Sequence, residues 1–504
     1  MKRRRTGLIA VVISAMVLCM TGCGLPSVSN TEGKEESGTT AKAESKATVE
    51  ETTSKAAEGD VILRVWDYCD STVTQREAFH KEFEEKHPGV KVEYTCMTQD
   101  MLSQSIVTSL SSDEGPDVFY LPATMTLTLA VDEGLIVPMS DYIEKEWFDT
   151  LIDEVFIPGT TMLDDKYYGL PEQMALASSL VFYNKKLLEQ AGVTEIPETW
   201  DEFLAACKNV TEKTDAYGLI EGGQQSWRME TLIRAFSQVA GARIAPYGNV
   251  LTADGKADFD SPAVKETFAF FTKLVADGSL HPDTVTISAP VARERFAQNE
   301  AAFLVSGMFC IAAWEENNPD LEFGVMAIPV PDKERGIYQA AGDYSMNVYG
   351  ISSRSKNPEM SAEYLKCMYS EDYSYQKACV GSGAWLSIVK GINEKYLTNE
   401  LSKQNYDILK ETTVTYPSVR TRDASVEGFY TQVVDVQPGL GDLLQGVFSK
   451  SLTDYDTALK TLADASTAEW KRACEAAGVD YGLLDFTGWD MSRNFTEEDY
   501  AQYK

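Results

Sequence analysis

The sequence predicts an α/β fold, and three observations carry that reading. Val61 to Trp66 is a nearly continuous apolar run, the pattern of a strand buried on both sheet faces. From Thr74 to His87, Phe79 and Phe83 stand one helical turn apart among charged residues, as on an amphipathic helix. His87-Pro88-Gly89 then breaks the helix, and Val90, Val92 and Tyr94 alternate as a second strand, which completes the order of a βαβ unit.

The alternation continues along the chain. A helix over 99–112 precedes a third strand at Asp117-Val118-Phe119-Tyr120. Leu180 to Tyr183 reads as a strand and Lys185 to Ala191 as a helix, followed by a helix from Trp200 to Thr211 with Thr199 as its N-cap. Asp260-Ser261-Pro262 opens another helix, with proline tolerated in the first turn and Asp260 expected as the cap. No internal repeat recurs at a fixed period.

The start of the chain is of a different kind. Lys2, Arg3, Arg4 and Arg5 precede an apolar run from Leu8 to Met20, the layout of a secretory signal peptide over 1–22. The run is short for a membrane-spanning helix, which needs about 20 apolar residues. Met20-Thr21-Gly22-Cys23 resembles the bacterial lipobox, which implies lipidation at Cys23. Residues 23–59 are rich in Ser, Thr, Ala, Glu and Lys and too poor in apolar surface to offset their ordering entropy, so they read as a flexible linker. The expected location is the extracellular face of the cell membrane, held by the lipid.

About 445 residues follow, enough for two or three lobes, and 44% apolar content supports full cores. The net charge of -32 argues against nucleic acid as a partner. Past the lipobox stand Cys69, Cys96, Cys207, Cys310, Cys367, Cys379 and Cys474, an odd and widely spaced set that argues against a disulfide framework. There is no CxxC, so a zinc ribbon is unsupported, and no metal or cofactor is expected. Asp254, Asp258 and Asp260 have the wrong spacing for an EF-hand.

Several segments then fall into a recognisable order. They are FEEKHPGVKVEY at 83–94, Gly115-Pro116-Asp117-Val118, Tyr168-Gly169-Leu170-Pro171, Val181-Phe182-Tyr183-Asn184-Lys185, PETWDEF at 197–203, Arg295 to Met308, and Ser355-Lys356-Asn357-Pro358-Glu359. Over about 61–390 the chain resembles the family 1 extracellular solute-binding proteins of ABC transporters. The resemblance implies a two-lobed periplasmic-binding-protein-like fold of type II, with a three-crossing hinge near Leu170-Pro171, Gly342 and Gly383. The N-terminal lobe would comprise 60–171 and 343–383, and the C-terminal lobe 172–342 and 384–504. It further implies a small-molecule ligand, an oligosaccharide, taken up by cleft closure and delivered to separate ABC permease subunits and an ATPase.

Sugars present hydroxyl edges and flat apolar faces, so their sites combine a few placed polar groups with aromatic platforms. Ligands of α/β sheets bind beyond the carboxyl ends of strands, which selects Asp67, Asp70, Glu172, Gln173, Asp343 and Tyr344. Asp117 lies inside a strand and is expected to be structural, as is Trp200. Trp227 follows a Gly-Gly-Gln-Gln-Ser loop that opens toward the cleft in relatives, Phe309 stands where relatives carry a stacking tryptophan, and Trp314 and Trp385 complete the aromatic candidates. Carboxylates beside aromatic walls also suit a polyamine through cation–π attraction, and a sensor-coupled receptor would share the fold. Against an enzyme, none of His80, His87 and His281 is placed for catalysis, and there is neither HExxH nor GxSxG. A carboxylate pair of the glycosidase kind stays open, because its members need only be close in space.

Overall fold

The structure is a computed structural model that describes residues 51–52, 61–68, 72–110, 115–122, 125, 127–175, 179–246, 248–334, 336, 338–341 and 348–503. Cys23, Asp70, Gly342, Asp343 and Tyr344 lie outside the described residues, as do the expected signal peptide and all of the linker but 51–52. In chain order the strands are β1 (Glu51–Thr52), β2 (Val61–Asp67), β3 (Val90–Cys96), β4 (Val118–Tyr120), β5 (Ile136–Val137), β6 (Met162–Leu163), β7 (Lys166–Tyr167), β8 (Leu170–Pro171), β9 (Leu180–Asn184), β10 (Tyr217–Leu219), β11 (Ala301–Ser306), β12 (Phe323–Met326), β13 (Gln339–Ala340), β14 (Val348–Ser352) and β15 (Thr413–Val414).

Two sheets organise these strands. The first runs β1-β3-β2-β4-β14-β5, with β8 also paired to β14. Within it β2 is parallel to β3 and β4, as the βαβ pattern requires, and the helices Val73–Lys86 and Gln99–Ser109 make the connections. The second sheet runs β10-β11-β9-β12, with β10 parallel to β11 and β9 antiparallel to both of its neighbours.

β2 differs from its expected burial. Leu63, Val65 and Asp67 are buried, whereas Val61, Ile62, Arg64 and Trp66 are only partly covered. Arg64 on the covered-by-half face reaches Glu93 at 3.1 Å, so that face is polar enough to stay near solvent. On the following helix Arg76, Phe79, His80 and Phe83 form the buried stripe, at the i, i+3, i+4, i+7 spacing of a core-facing helix. Both phenylalanines pack on Tyr364, with ring centroids 5.3 and 5.4 Å away.

Local signals set the ends of other helices. Thr199 and Glu202 form a capping box at the start of Trp200–Lys213, a device worth about 1 kcal/mol. The helix Pro262–Ala276 is capped by Ser261, whose Oγ accepts the Val264 N–H, and not by Asp260. Trp200 is buried and donates to the Pro329 carbonyl at 2.7 Å. Asp117 accepts from Arg64 N at 2.8 Å and Ser355 Oγ at 2.6 Å, a structural tie between strand and loop. Cys207, Cys310, Cys367 and Cys474 are buried free thiols.

Beyond Gly383 the chain stays beside the first sheet. Met174 N–H donates to Leu386 O, Ile152 N–H donates to Ile388 O, and Val389 bridges Leu151. Only then does the helix Glu400–Thr412 reach the second sheet, where Gln404 donates to Val325 O. The last residues fold back on the second half: Thr252 N–H donates to Leu484 O, and Arg422 donates to the carbonyls of Gly482, Leu483 and Asp485. Among the described residues no helix is long and apolar enough to cross a membrane.

Candidate ligand-binding cleft

The chain connects the carboxyl edge of the first sheet to that of the second. Tyr349 pairs with Tyr120 and with Leu170, so β8 and the start of β14 both lie at the carboxyl end of β4. The chain leaving Pro171 enters β9 at Leu180, which pairs with Ser306, the last residue of β11. The first two passages between the halves therefore meet the carboxyl edge of the first sheet. Side chains just beyond these strand ends are the ones a ligand between the halves would meet.

On the first side, the dominant feature is an ion cluster. Arg76 donates to Asp67 at 2.5 Å, to Tyr375 OH at 2.6 Å and to Tyr94 OH at 2.9 Å, and it also bonds Glu172. Asp67 further accepts from Tyr94 OH at 2.9 Å and Tyr349 OH at 3.0 Å. The side chains of Arg76, Asp67 and Glu172 are all 0% exposed. Burial works against the charged guanidinium, but the two carboxylates outweigh it and raise the Arg76 pKa. Burial pushes the Glu172 carboxyl up, against the pull of Arg76. Next to the cluster, burial and then the Arg76 charge hold His80 down at about 3, and its Nε2 lies 2.9 Å from Tyr364 OH.

Asp67 and Glu172 stand at the expected edge, enclosed and paired with Arg76, as a buried cation requires. Arg76 escaped the sequence reading although it carried a signal: an arginine on the apolar stripe of its helix. Gln173, beside the cluster, is half-buried. Trp385 is also enclosed, 5% exposed and edge-on to Tyr375 at 5.7 Å.

On the second side, Glu221 follows β10 and is fully buried. It accepts the Val305 N–H at 2.7 Å and an Arg228 N–H at 3.3 Å, while Arg228 also bonds Val305 O. Burial pushes Glu221 up to about 7, with Arg228 pulling the other way. The pair pins the first turn of the helix Ser226–Val239 onto the end of β11. A Cβ at Gly222 would stand 2.3 Å from Ala289 Cα, so only glycine lets this loop lie so close to the helix Ala289–Ala297.

Two expected aromatic residues project from this framework. Trp227, next to Arg228, is 49% exposed, and Phe309, three residues past β11, is 48% exposed. They are the only exposed Trp and Phe among the described residues. The Arg293 guanidinium lies 5.4 Å from the Phe309 ring centre. Trp314 is different: it is 4% exposed and packs edge-on to Phe182 at 5.2 Å and Phe323 at 5.3 Å. It belongs to the core, since Cys310, Ile311 and Trp314 form the buried face of their helix.

The chain is similar in sequence and fold to several known proteins. A binding protein of Brucella abortus is 27% identical over 323 residues, 64% of this chain and 74% of that one. The diacetylchitobiose binding protein DasA of Streptomyces coelicolor is 28% identical over 329 residues, 62% of this chain and 70% of that one. The GacH receptor of Streptomyces glaucescens matches in structure with a TM-score of 0.62 at 19% identity, over 82% of this chain and 99% of that one. The fold is thus the two-lobed one of periplasmic binding proteins. With residues 70–375 matching its sequence profile, the chain belongs to the bacterial extracellular solute-binding protein family.

Proposed function

We propose that the protein is the receptor of an ABC importer and captures an extracellular oligosaccharide by closure of its lobes over the cleft. The observation that carries this reading is the exposed pair Trp227 and Phe309 beyond the ends of adjacent parallel strands. An exposed aromatic face is costly to hydrate and suits the apolar face of a sugar ring. DasA is named for diacetylchitobiose, and GacH was solved in complex with acarbose. Ligand contacts made to both lobes only in the closed form would shift the population toward it. The family relation and the lack of a catalytic motif support binding without chemistry, with permease and ATPase as separate chains.

The polyamine reading loses support at Asp67 and Glu172, which are enclosed and share the Arg76 cation. A thermal-shift screen against neutral oligosaccharides and spermidine, at low and high salt, tests the ligand class. A cognate oligosaccharide at a hundred times its dissociation constant should add about 2.7 kcal/mol, equally at both salt levels. A shift from spermidine alone, vanishing at high salt, would overturn the assignment.

Anchoring is assigned to Cys23, on its place after an apolar run and a small-residue pair. Cells fed a clickable fatty acid should label the protein, and Cys23→Ala should lose the label. Equal labelling of both would refute the anchor.

A further inference from the structure

We propose that His87, Glu363 and Cys367 form a binding site for a divalent transition metal of the zinc class. The three residues come from two helices that are distant in sequence. His87 is the C-cap of Val73–Lys86, and Glu363 and Cys367 stand one turn apart on the helix Pro358–Met368. Since the first helix starts after the carboxyl end of β2 and ends before β3, His87 lies at the amino edge of the first sheet, opposite the cleft edge.

The histidine is already set for coordination. Its Nδ1 lies 2.9 Å from Phe83 O, and a carbonyl only accepts, so Nδ1 carries the proton. In the neutral ring Nε2 then holds the lone pair, the arrangement in which backbone carbonyls orient metal-bound histidines. Stacking on Phe83, at 4.2 Å between centroids and 27° between planes, fixes the ring further. Nε2 points at Glu363 Oε1, 3.9 Å away. The Cys367 thiol donates to that same oxygen from 3.5 Å, and the three ligand atoms lie within 4.8 Å of one another.

The Cys367 to Glu363 separation matches that of two ligands on a tetrahedral ion, and the His87 to Glu363 separation is about half an ångström longer. With zinc bonds of about 2.0–2.3 Å, sulfur and oxygen ligands sit about 3.6 Å apart and nitrogen and oxygen about 3.4 Å. Binding would draw the His87 imidazole toward Glu363 and Cys367, a movement that a side chain at a helix end can make. Glu363 divides its two oxygens: Oε2 faces Lys366 Nζ at 3.6 Å, which leaves Oε1 to the metal. The His87 and Glu363 side chains are 20% and 42% exposed, so an ion has an entry path and water can supply the fourth ligand. Imidazole nitrogen, thiolate sulfur and carboxylate oxygen together suit zinc over calcium or magnesium. On binding, the Cys367 S–H bond breaks, the sulfur keeps the electron pair and donates it to the metal, and the proton leaves to solvent. The ion would tie the end of one helix to another that arrives only after the chain has returned from the second lobe.

Cobalt(II) is the probe, because thiolate coordination gives a near-ultraviolet charge-transfer band and a tetrahedral site gives visible bands. One equivalent added to the full chain should produce both, zinc should bleach them, and zinc alone should raise the melting temperature. Cys367→Ser and His87→Gln should each abolish the charge-transfer band or its visible partner while keeping the far-ultraviolet circular dichroism. If either variant misfolds, Glu363→Ala on the exposed position should still weaken cobalt binding at least tenfold. A bare His87–Glu363 ion pair would give no cobalt bands, and that result overturns the site. Bands that persist in Cys367→Ser, and so arise from another thiol, overturn it as well.

Discussion

Replacing Arg76 with methionine is expected to destabilise the protein by about 3–5 kcal/mol, because it leaves two buried carboxylates without their cation. The wild-type side chain is enclosed with Asp67 and Glu172, and its guanidinium also holds the hydroxyls of Tyr94 and Tyr375. Removing one partner of a buried pair costs more than the pair contributes, since the remaining charges keep their desolvation penalty. The triple variant Arg76→Met, Asp67→Asn, Glu172→Gln should therefore recover a large part of the loss. Urea unfolding of wild type, single and triple variants reads both effects. A single variant within about 1 kcal/mol of wild type, no worse than an average substitution, would mean that the cluster is open to water.

Trp314→Ala should cost about 3–5 kcal/mol, the range for emptying a tryptophan site in a packed core. Its ring is flanked by Phe182, Phe296 and Phe323, so no neighbour is free to fill the space. Phe309→Ala, five positions earlier, should change stability by less than about 0.5 kcal/mol, as surface substitutions do, and should instead reduce the thermal shift given by the saccharide. Denaturant unfolding and ligand titration on the same two variants separate the roles. Equal stability losses in both would place Phe309 in the core and remove the platform from the proposed site.

Trp314 and Phe309 show where the sequence was legible and where it was not. Cys310, Ile311 and Trp314 have helical spacing, so the tryptophan's inward face could have been read from periodicity; Phe309 precedes the helix and escapes that stripe. The strands and helices of 61–120 were readable because apolar periodicity and Pro-Gly breaks are local signals. The strand-end rule found the edge where Asp67 and Glu172 stand, but not Arg76 between them. Partners brought together from residues 67, 76, 172 and 375 leave no local trace, because tertiary packing decides which charge is enclosed. The same limit hid His87 and Cys367 behind the absence of a short cysteine motif.

The pairing of Leu170–Pro171 with Val348–Tyr349 holds two chain passages side by side where they meet the first sheet. Two separate tethers would permit sliding, but these two are rungs of one ladder, and sliding would shift their register by about 3.3 Å per residue and break it. Bending across the ladder leaves the register intact. If the halves rotate on these passages, the paired segments would flex as a leaf spring does, compliant to rotation and stiff to shear.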